Sequence, residues 1–353
     1  LRGEWEYFEN QVLFPSDFTY EGEAKNGSKP QYIQVPGDAP NAYGFGTYRL
    51  TFRAVTSSET FALKTTDGWS SARIYLDGKL ICQIGDPSTL SNASLPWNSS
   101  LYVTFAMDTF RTNHELIIQT SNYDFYRHGI ANPIHFGTQI KVYELSNNVR
   151  LSESICAMSV FILAVLLLCL LTLRIQFGSI LHLLLFSIFF GIYLMTTGEK
   201  LLLNLFPDTP YLFFTRLYLI TFPLMALFMT LYVCAFGENG RGWMKVRNIA
   251  VGASSVLVAA LAFAPQKALN ALVLSSQILI ALLAVMCLWF LVRRLWLRDA
   301  GALFQTLAFL NWLMVFGIGS LYARGMLSTS THTLALSVMV VGFVIMQLIY
   351  VAQ

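Results

Sequence analysis

The sequence predicts an all-β jelly-roll sandwich followed by an all-α bundle of seven membrane-spanning helices. Three observations lead there. Seven hydrophobic stretches fill residues 154–353, each near the length of about 20 apolar residues that crosses a hydrocarbon core. The roughly 150 residues before them have no such stretch and alternate apolar with polar in short runs, the pattern of half-buried strands. Hydrophobic residues make up 55% of the chain and charged residues 12%, against roughly 25% charged in an ordinary soluble domain.

The spans fall at 154–173, 178–197, 211–236, 248–264, 268–292, 302–322 and 332–351. The fourth is the shortest, and six is the count without it. Short loops rich in Lys and Arg are retained in the cytoplasm. Those after spans one, three and five carry Arg174; Arg241, Lys245 and Arg247; and Arg293, Arg294 and Arg298, whereas those after two, four and six carry Lys200, Lys267 and Arg324. The bias predicts an N-terminus outside and a C-terminus inside, which satisfies the opposite-sided ends that seven spans require.

Residues 1–150 hold 12 Lys and Arg against 15 Asp and Glu, and the remainder 11 against 5. The basic excess therefore sits with the retained loops and makes no case for nucleic acid. The sequence opens at Leu1 with neither a Met nor a basic and apolar leader, so a secretory signal is expected to have preceded an exported domain of this size. Cys82 is alone in the first part, where it reads as a small hydrophobe on a strand. Cys156, Cys169, Cys234 and Cys287 lie in predicted spans, and no disulfide framework, metal site or cofactor is expected from that set.

Strand alternation is clear in Tyr48, Leu50 and Phe52, in Ala72, Ile74 and Leu76, in Leu101, Val103 and Phe105, and in Leu116, Ile118 and Thr120. Asp77-Gly78 lies between two such runs and suits the positive φ angles of a two-residue hairpin turn. Strands separated by Gly, Pro, Asn and Ser, with no helical period, predict a sandwich or jelly roll.

Gly3-Glu4-Trp5-Glu6-Tyr7-Phe8, then Val35-Pro36-Gly37 and Gly44-Phe45-Gly46-Thr47-Tyr48-Arg49-Leu50, resemble the opening of galactose-binding-like jelly rolls. The likeness continues through Ala72-Arg73-Ile74-Tyr75-Leu76-Asp77-Gly78-Lys79-Leu80, Gly85, Ser121-Asn122, Gly129-Ile130 and Ile134-His135-Phe136-Gly137, with a last strand expected at 140–145. Joined to seven spans with the N-terminus outside, the chain resembles the bacterial seven-transmembrane receptors with diverse intracellular signalling modules. That resemblance implies a periplasmic sensor at 1–145, a linker at 146–153 and an inner-membrane bundle at 154–353. It also implies a signal passed to a cytoplasmic module, such as a diguanylate cyclase or histidine kinase, in cis or in trans, and a homodimer. The sequence ends at Gln353, just after span seven, so the output is expected beyond it or on a partner.

A small ligand of the outer domain, carbohydrate-like above all, would be met by aromatic faces for its CH groups and by polar side chains for its hydroxyls. The richest stretch is Asn122, Tyr123, Asp124, Phe125, Tyr126, Arg127 and His128, with Trp69 and Trp97 secondary. The competing reading has these aromatics cap the sandwich or rest on the membrane domain. Ionisable groups in a membrane are costly and mark function, which singles out Glu199, at the outer end of span two, and Arg216 in span three. They either pair at the outer mouth of the bundle or Arg216 snorkels to the interface. Pro223 is expected to kink span three. Asn204, Gln277, Gln305, Asn311 and Gln347 are expected to bond between helices, at about 0.6 kcal/mol each.

A G-protein-coupled receptor would need Asp-Arg-Tyr where span three ends in Tyr232-Val233-Cys234-Ala235-Phe236, and a proline in span seven, which has none. No His-Glu-x-x-His, paired carboxylates or activated Ser setting stands out, so no enzymatic reading is supported. Two alternatives stay open. One is a membrane-anchored protein whose jelly roll docks a periplasmic protein. The other is a transporter, although mid-span positions are nearly all apolar and seven spans divide poorly into repeats.

Overall fold

The computed structural model describes residues 1–19, 22–54, 60–65, 71–97, 100–108, 110–125, 128–130, 132–173, 177–235, 241–299, 301–323, 326–327 and 329–352. The chain divides into two compact units, Leu1–Asn148 with Leu321–Ser328, and Val149–Ser320 with Thr329–Gln353.

The first unit is built on strands β1 (Gly3–Glu9), β2 (Gln31–Val35), β3 (Gly44–Arg53), β4 (Thr60–Thr65), β5 (Ser71–Leu76), β6 (Lys79–Ile84), β7 (Leu101–Ala106), β8 (Asn113–Asn122) and β9 (His135–Thr138). They form a sandwich of a six-stranded sheet, in the order β2-β1-β3-β8-β5-β6, and a three-stranded sheet, β7-β4-β9. Every pairing is antiparallel. The period-two reading holds where one face is buried: Tyr48, Ile74, Leu116 and Ile118 are sealed from solvent and meet Trp5, Tyr7 and Leu63 in one core.

The central strand β8 departs from simple alternation because both its faces are covered. Phe8, Leu13, Phe18 and Ala24 pack on Ile117, and the Gln119 amide donates to the Leu13 carbonyl at 2.9 Å. A strand buried on two sides reads as a continuous run. The predicted hairpin forms between β5 and β6, with φ of 48° at Asp77 and 83° at Gly78, the paired positive angles of a type I′ turn. Cys82, on β6, is only partly buried.

The expected last strand at 140–145 is helical instead. β9 ends at Thr138, and α1 (Gln139–Thr172) starts at the next residue, taking in the residues read as a linker. Val142 and Val149 are buried while Ile140 and Tyr143 are exposed, which is a helical spacing; Ile140 and Val142 alone are too short a run to separate the two periods.

The second unit continues with α2 (Phe177–Thr196), a single turn α3 (Leu201–Leu205), α4 (Tyr211–Cys234), α5 (Arg241–Phe263), α6 (Gln266–Trp296), α7 (Ala302–Ala323) and α8 (Thr329–Ala352). Among the described residues six helices, α1, α2, α4, α6, α7 and α8, are long and apolar enough to cross a membrane. The remaining long one, α5, has the shorter apolar stretch Arg247–Phe263, because Lys and Arg occupy its first turns. It is the span that is shortest in the sequence as well. Pro223 is buried inside α4, which stays helical through it. Aromatic rings fill the core: Phe186 lies 5.6 Å edge-on from Trp312 and 5.5 Å from Phe343. On α6, Leu274, Ile278, Leu282, Val285 and Trp289 are exposed at steps of three and four, so one apolar face is turned to lipid.

Candidate functional site

Of the polar stretch that begins at the end of β8, Asn122 and His128 are turned inward. Asn122 ends β8, 1% exposed, and its amide donates to the carbonyls of Ala42 (2.8 Å) and Phe125 (2.7 Å). Its side-chain oxygen accepts the N–H groups of Asp124 and Phe125, so the whole amide is used in closing a turn. Tyr123 donates its hydroxyl to the Thr89 carbonyl at 2.7 Å, which holds the loop that carries Trp97. A buried hydroxyl cluster anchors the same loop, with Ser121 Oγ at 2.7 Å from Ser71 and 3.0 Å from Ser94. Trp97 keeps 44% of its surface exposed, and Asp124 is half-buried. Tyr126, Arg127 and Trp69 lie outside the described residues.

His128 is 4% exposed. Its Nε2 meets Thr120 Oγ1 at 3.0 Å and its carbonyl accepts the Ala39 N–H at 2.7 Å. Burial pushes its pKa down to about 4, against a smaller upward pull from the Asn41 backbone. Burial also pushes His135 down to about 4, helped by nearby positive charge. The sign follows from linkage: between about pH 6.5 and about pH 4 the unfolded chain binds protons that the folded sandwich refuses. The stability from neutral His128 is therefore complete above about 6.5 and declines as pH falls towards 4. Amide exchange of β8 in the full chain should show protection falling between pH 7 and pH 5, and His128→Gln should flatten that fall, leaving the share due to His135. Equal pH dependence in the variant would remove His128 as the cause.

In the helical unit Glu199 and Arg216 do not pair. Arg216 donates to the carbonyls of Ala262 and, at 2.9 Å, Ala264, which sit at the end of α5. Those are the orphan acceptors that a helix C-terminus leaves, and a cation is favoured there. Glu199 is 5% exposed, and its N–H donates at 2.8 Å to Glu153, a carboxylate on α1 that the sequence reading passed over because it fell in the assumed linker. Ser152, next to it, meets Ser337 of α8 at 2.5 Å.

A second polar set lies at the opposite end of the bundle, where α4, α6 and α8 finish and α7 starts. Tyr232 of α4 donates to Gln347 Oε1 of α8 at 2.8 Å. Arg294 of α6 reaches Asp299 at 3.0 Å and Gln305 of α7, with Tyr350 of α8 as a further partner. Tyr232, Arg294, Gln305 and Gln347 are all buried. Gln305 and Gln347 are legible in sequence as interhelical polar groups; Tyr232 and Arg294 are not, since a tyrosine and a loop-side arginine at a span end are unremarkable until the helices are packed.

A family model described as 7TM diverse intracellular signalling matches residues 150–353. No curated protein matches the chain. Among solved structures, a GH2 beta-galacturonidase from Eisenbergiella tayi bound to galacturonate is similar at 16% identity over 37% of this chain and 22% of that one, with a TM-score of 0.24. A beta-glucuronidase of Ruminococcus gnavus is similar at 13% identity over 38% of this chain and 28% of that one, with a TM-score of 0.27. The chain thus spans between 22% and 28% of the length of these enzymes.

Proposed function

Because this chain belongs to the 7TM diverse intracellular signalling family, we propose that it is a receptor of the bacterial inner membrane, whose periplasmic sandwich takes up a small ligand and whose bundle relays that event to a cytoplasmic output module or partner. The observation that carries this reading is the polar set of Tyr232, Arg294, Gln305 and Gln347 gathered where α8 ends. An apolar bundle gains little stability from such bonds, about 0.6 kcal/mol each. What they add is a choice of partners. Hydroxyl, amide and guanidinium groups that can exchange acceptors give discrete arrangements, and a ligand that prefers one shifts the population. α8 is the helix that leads to whatever follows, so its partners on α4, α6 and α7 set its position.

In the sandwich unit, buried Lys64 of β4 donates to Ser146 of α1 at 2.7 Å. The three-stranded sheet therefore holds the first turns of α1. Asn122 and His128 serve as framework in this reading, and Trp97 and Tyr123 as surface contacts.

The test joins a diguanylate cyclase reporter after α8 and measures cyclic di-GMP at matched membrane levels. Lys64→Ala and Gln347→Leu should each change output by about threefold, the ratio that about 0.6 kcal/mol produces in an equilibrium. Output indifferent to both, together with saturable solute flux into liposomes, would replace the receptor by a transporter.

A further inference from the structure

Leu80, Phe105, Asp77, Lys79, Asp108 and Arg111 line an open groove of about 430 Å³ between the β5–β6 hairpin and the end of β7. That volume falls in the range of about 300–1,000 Å³ of small-molecule sites. The groove is at the opposite end of β5 from the Asn122 stretch, since Leu76 pairs with Leu116 and Ser71 with Ser121.

The hydrogen-bond inventory of its charged groups is lopsided. Asp77 is committed: Oδ2 lies 2.7 Å from His114 Nδ1, and Oδ1 accepts the Glu115 N–H at 2.9 Å. Asp108 accepts the Phe110 N–H at 3.0 Å. The cations keep donors to spare. Arg111 reaches Asp108 only at 3.9 Å, and among the described residues Lys79 has no ion pair or side-chain hydrogen bond. Ammonium and guanidinium groups are donors only, and their strongest partners are anionic oxygens. Leu80, 52% exposed, and Phe105 add an apolar wall. We propose that this groove binds a small organic carboxylate with an apolar or CH-rich body, its charge on Lys79 and Arg111 and its body on Leu80 and Phe105.

The position of the groove gives such binding a route out of the sandwich. Phe61 of β4 pairs with Phe105 on one side and with Thr138 on the other, so the groove lies at the same end of the three-stranded sheet as the point where β9 runs into α1, with β4 between them. The Phe105 ring lies 5.9 Å from Phe136 of β9, which is 5.1 Å from Phe52. Phe52 in turn lies 5.7 Å from His114, the partner of Asp77. A ligand against Phe105 thus presses on rings that hold the strand leading into α1. This consequence rests on the receptor reading; the binding does not.

The experiment titrates the full chain in lipid nanodiscs, by ligand-observed NMR, with succinate, gluconate and benzoate, each beside its neutral amide, and with inorganic phosphate. At least one carboxylate should bind, its amide should bind about tenfold more weakly or worse, and Lys79→Gln with Arg111→Gln should weaken the carboxylate by a similar factor. Four results overturn the assignment: no carboxylate binds, the amide binds as well as the acid, the double variant binds undiminished, or phosphate alone binds. Carboxylate binding that leaves the reporter chimera's output unchanged would instead sink the receptor reading and keep the site.

Discussion

Arg49→Met is expected to lower the local stability of β3 by about 3 kcal/mol, near the bottom of the range for breaking a buried ion pair. Arg49 is 6% exposed. Its guanidinium donates to Glu6 at 2.7 Å, to Glu115 at 2.6 Å and to the Gly22 carbonyl at 2.8 Å, and lies 4.6 Å over the Phe18 ring. Burial alone would lower its pKa, but the hydrogen bonds it donates to Glu115 and Glu6 carry it upward, so the charge is held by its partners. Methionine keeps the apolar stem and leaves two carboxylates beside each other with no cation. Both carboxylates are 26% exposed, so water screens part of the repulsion, which is why the low end of the range applies. Amide exchange of β3 in the full chain reads the loss directly. Neutralising the partners as well, with Glu6→Gln and Glu115→Gln on the Arg49→Met background, should recover a good part of it, because the damage is the unpaired charge. A single variant within about 0.5 kcal/mol of the parent, the scale of ordinary surface changes, would refute the triad's role.

The sandwich is legible in sequence where a strand has one wet face. Leu50 and Phe52 alternate with exposed Thr51 and Arg53 because the second half of β3 has one wet face, and Asp77-Gly78 announces its turn because few residue pairs accept two positive φ angles. The start of α1 is not legible. Residues 140–145 carry both periods over too few positions, and helix wins only through the residues beyond. Glu153 is missed for the same reason: a boundary drawn between a strand and a span hides a buried carboxylate on the helix that runs through it. Asn122 and His128 stand out as polar residues at a strand end, yet their direction is set by Ala42, distant in the chain, and by Thr120 on the neighbouring strand β8. The groove is further from view, since residues 77–80 and 105–111 meet only when the two sheets close. What a sequence transmits well is periodicity and turn chemistry; which way a polar side chain points at the end of an element is a property of its partners.

Gly198→Ala should destabilise the helical unit by about 2.5–5 kcal/mol, the sum of two separable effects. Gly198 has φ of 58°, where an L side chain costs about 1–2 kcal/mol. A Cβ there would also run into the Glu153 carboxylate. The far end of a glutamate usually swings aside at little expense. Here it cannot: Glu153 is 7% exposed and accepts the Glu199 N–H at 2.8 Å, so moving it loses a hydrogen bond to a charged group, about 1.5–3 kcal/mol. The two effects part company in a double-mutant cycle with Glu153→Ala, followed by unfolding in mixed micelles. With the carboxylate gone, Gly198→Ala should retain only the backbone share, leaving a coupling of about 1.5 kcal/mol or more. The same full loss in both backgrounds would mean that Glu153 does not hold the turn after α2, and that the glycine is required for its backbone alone.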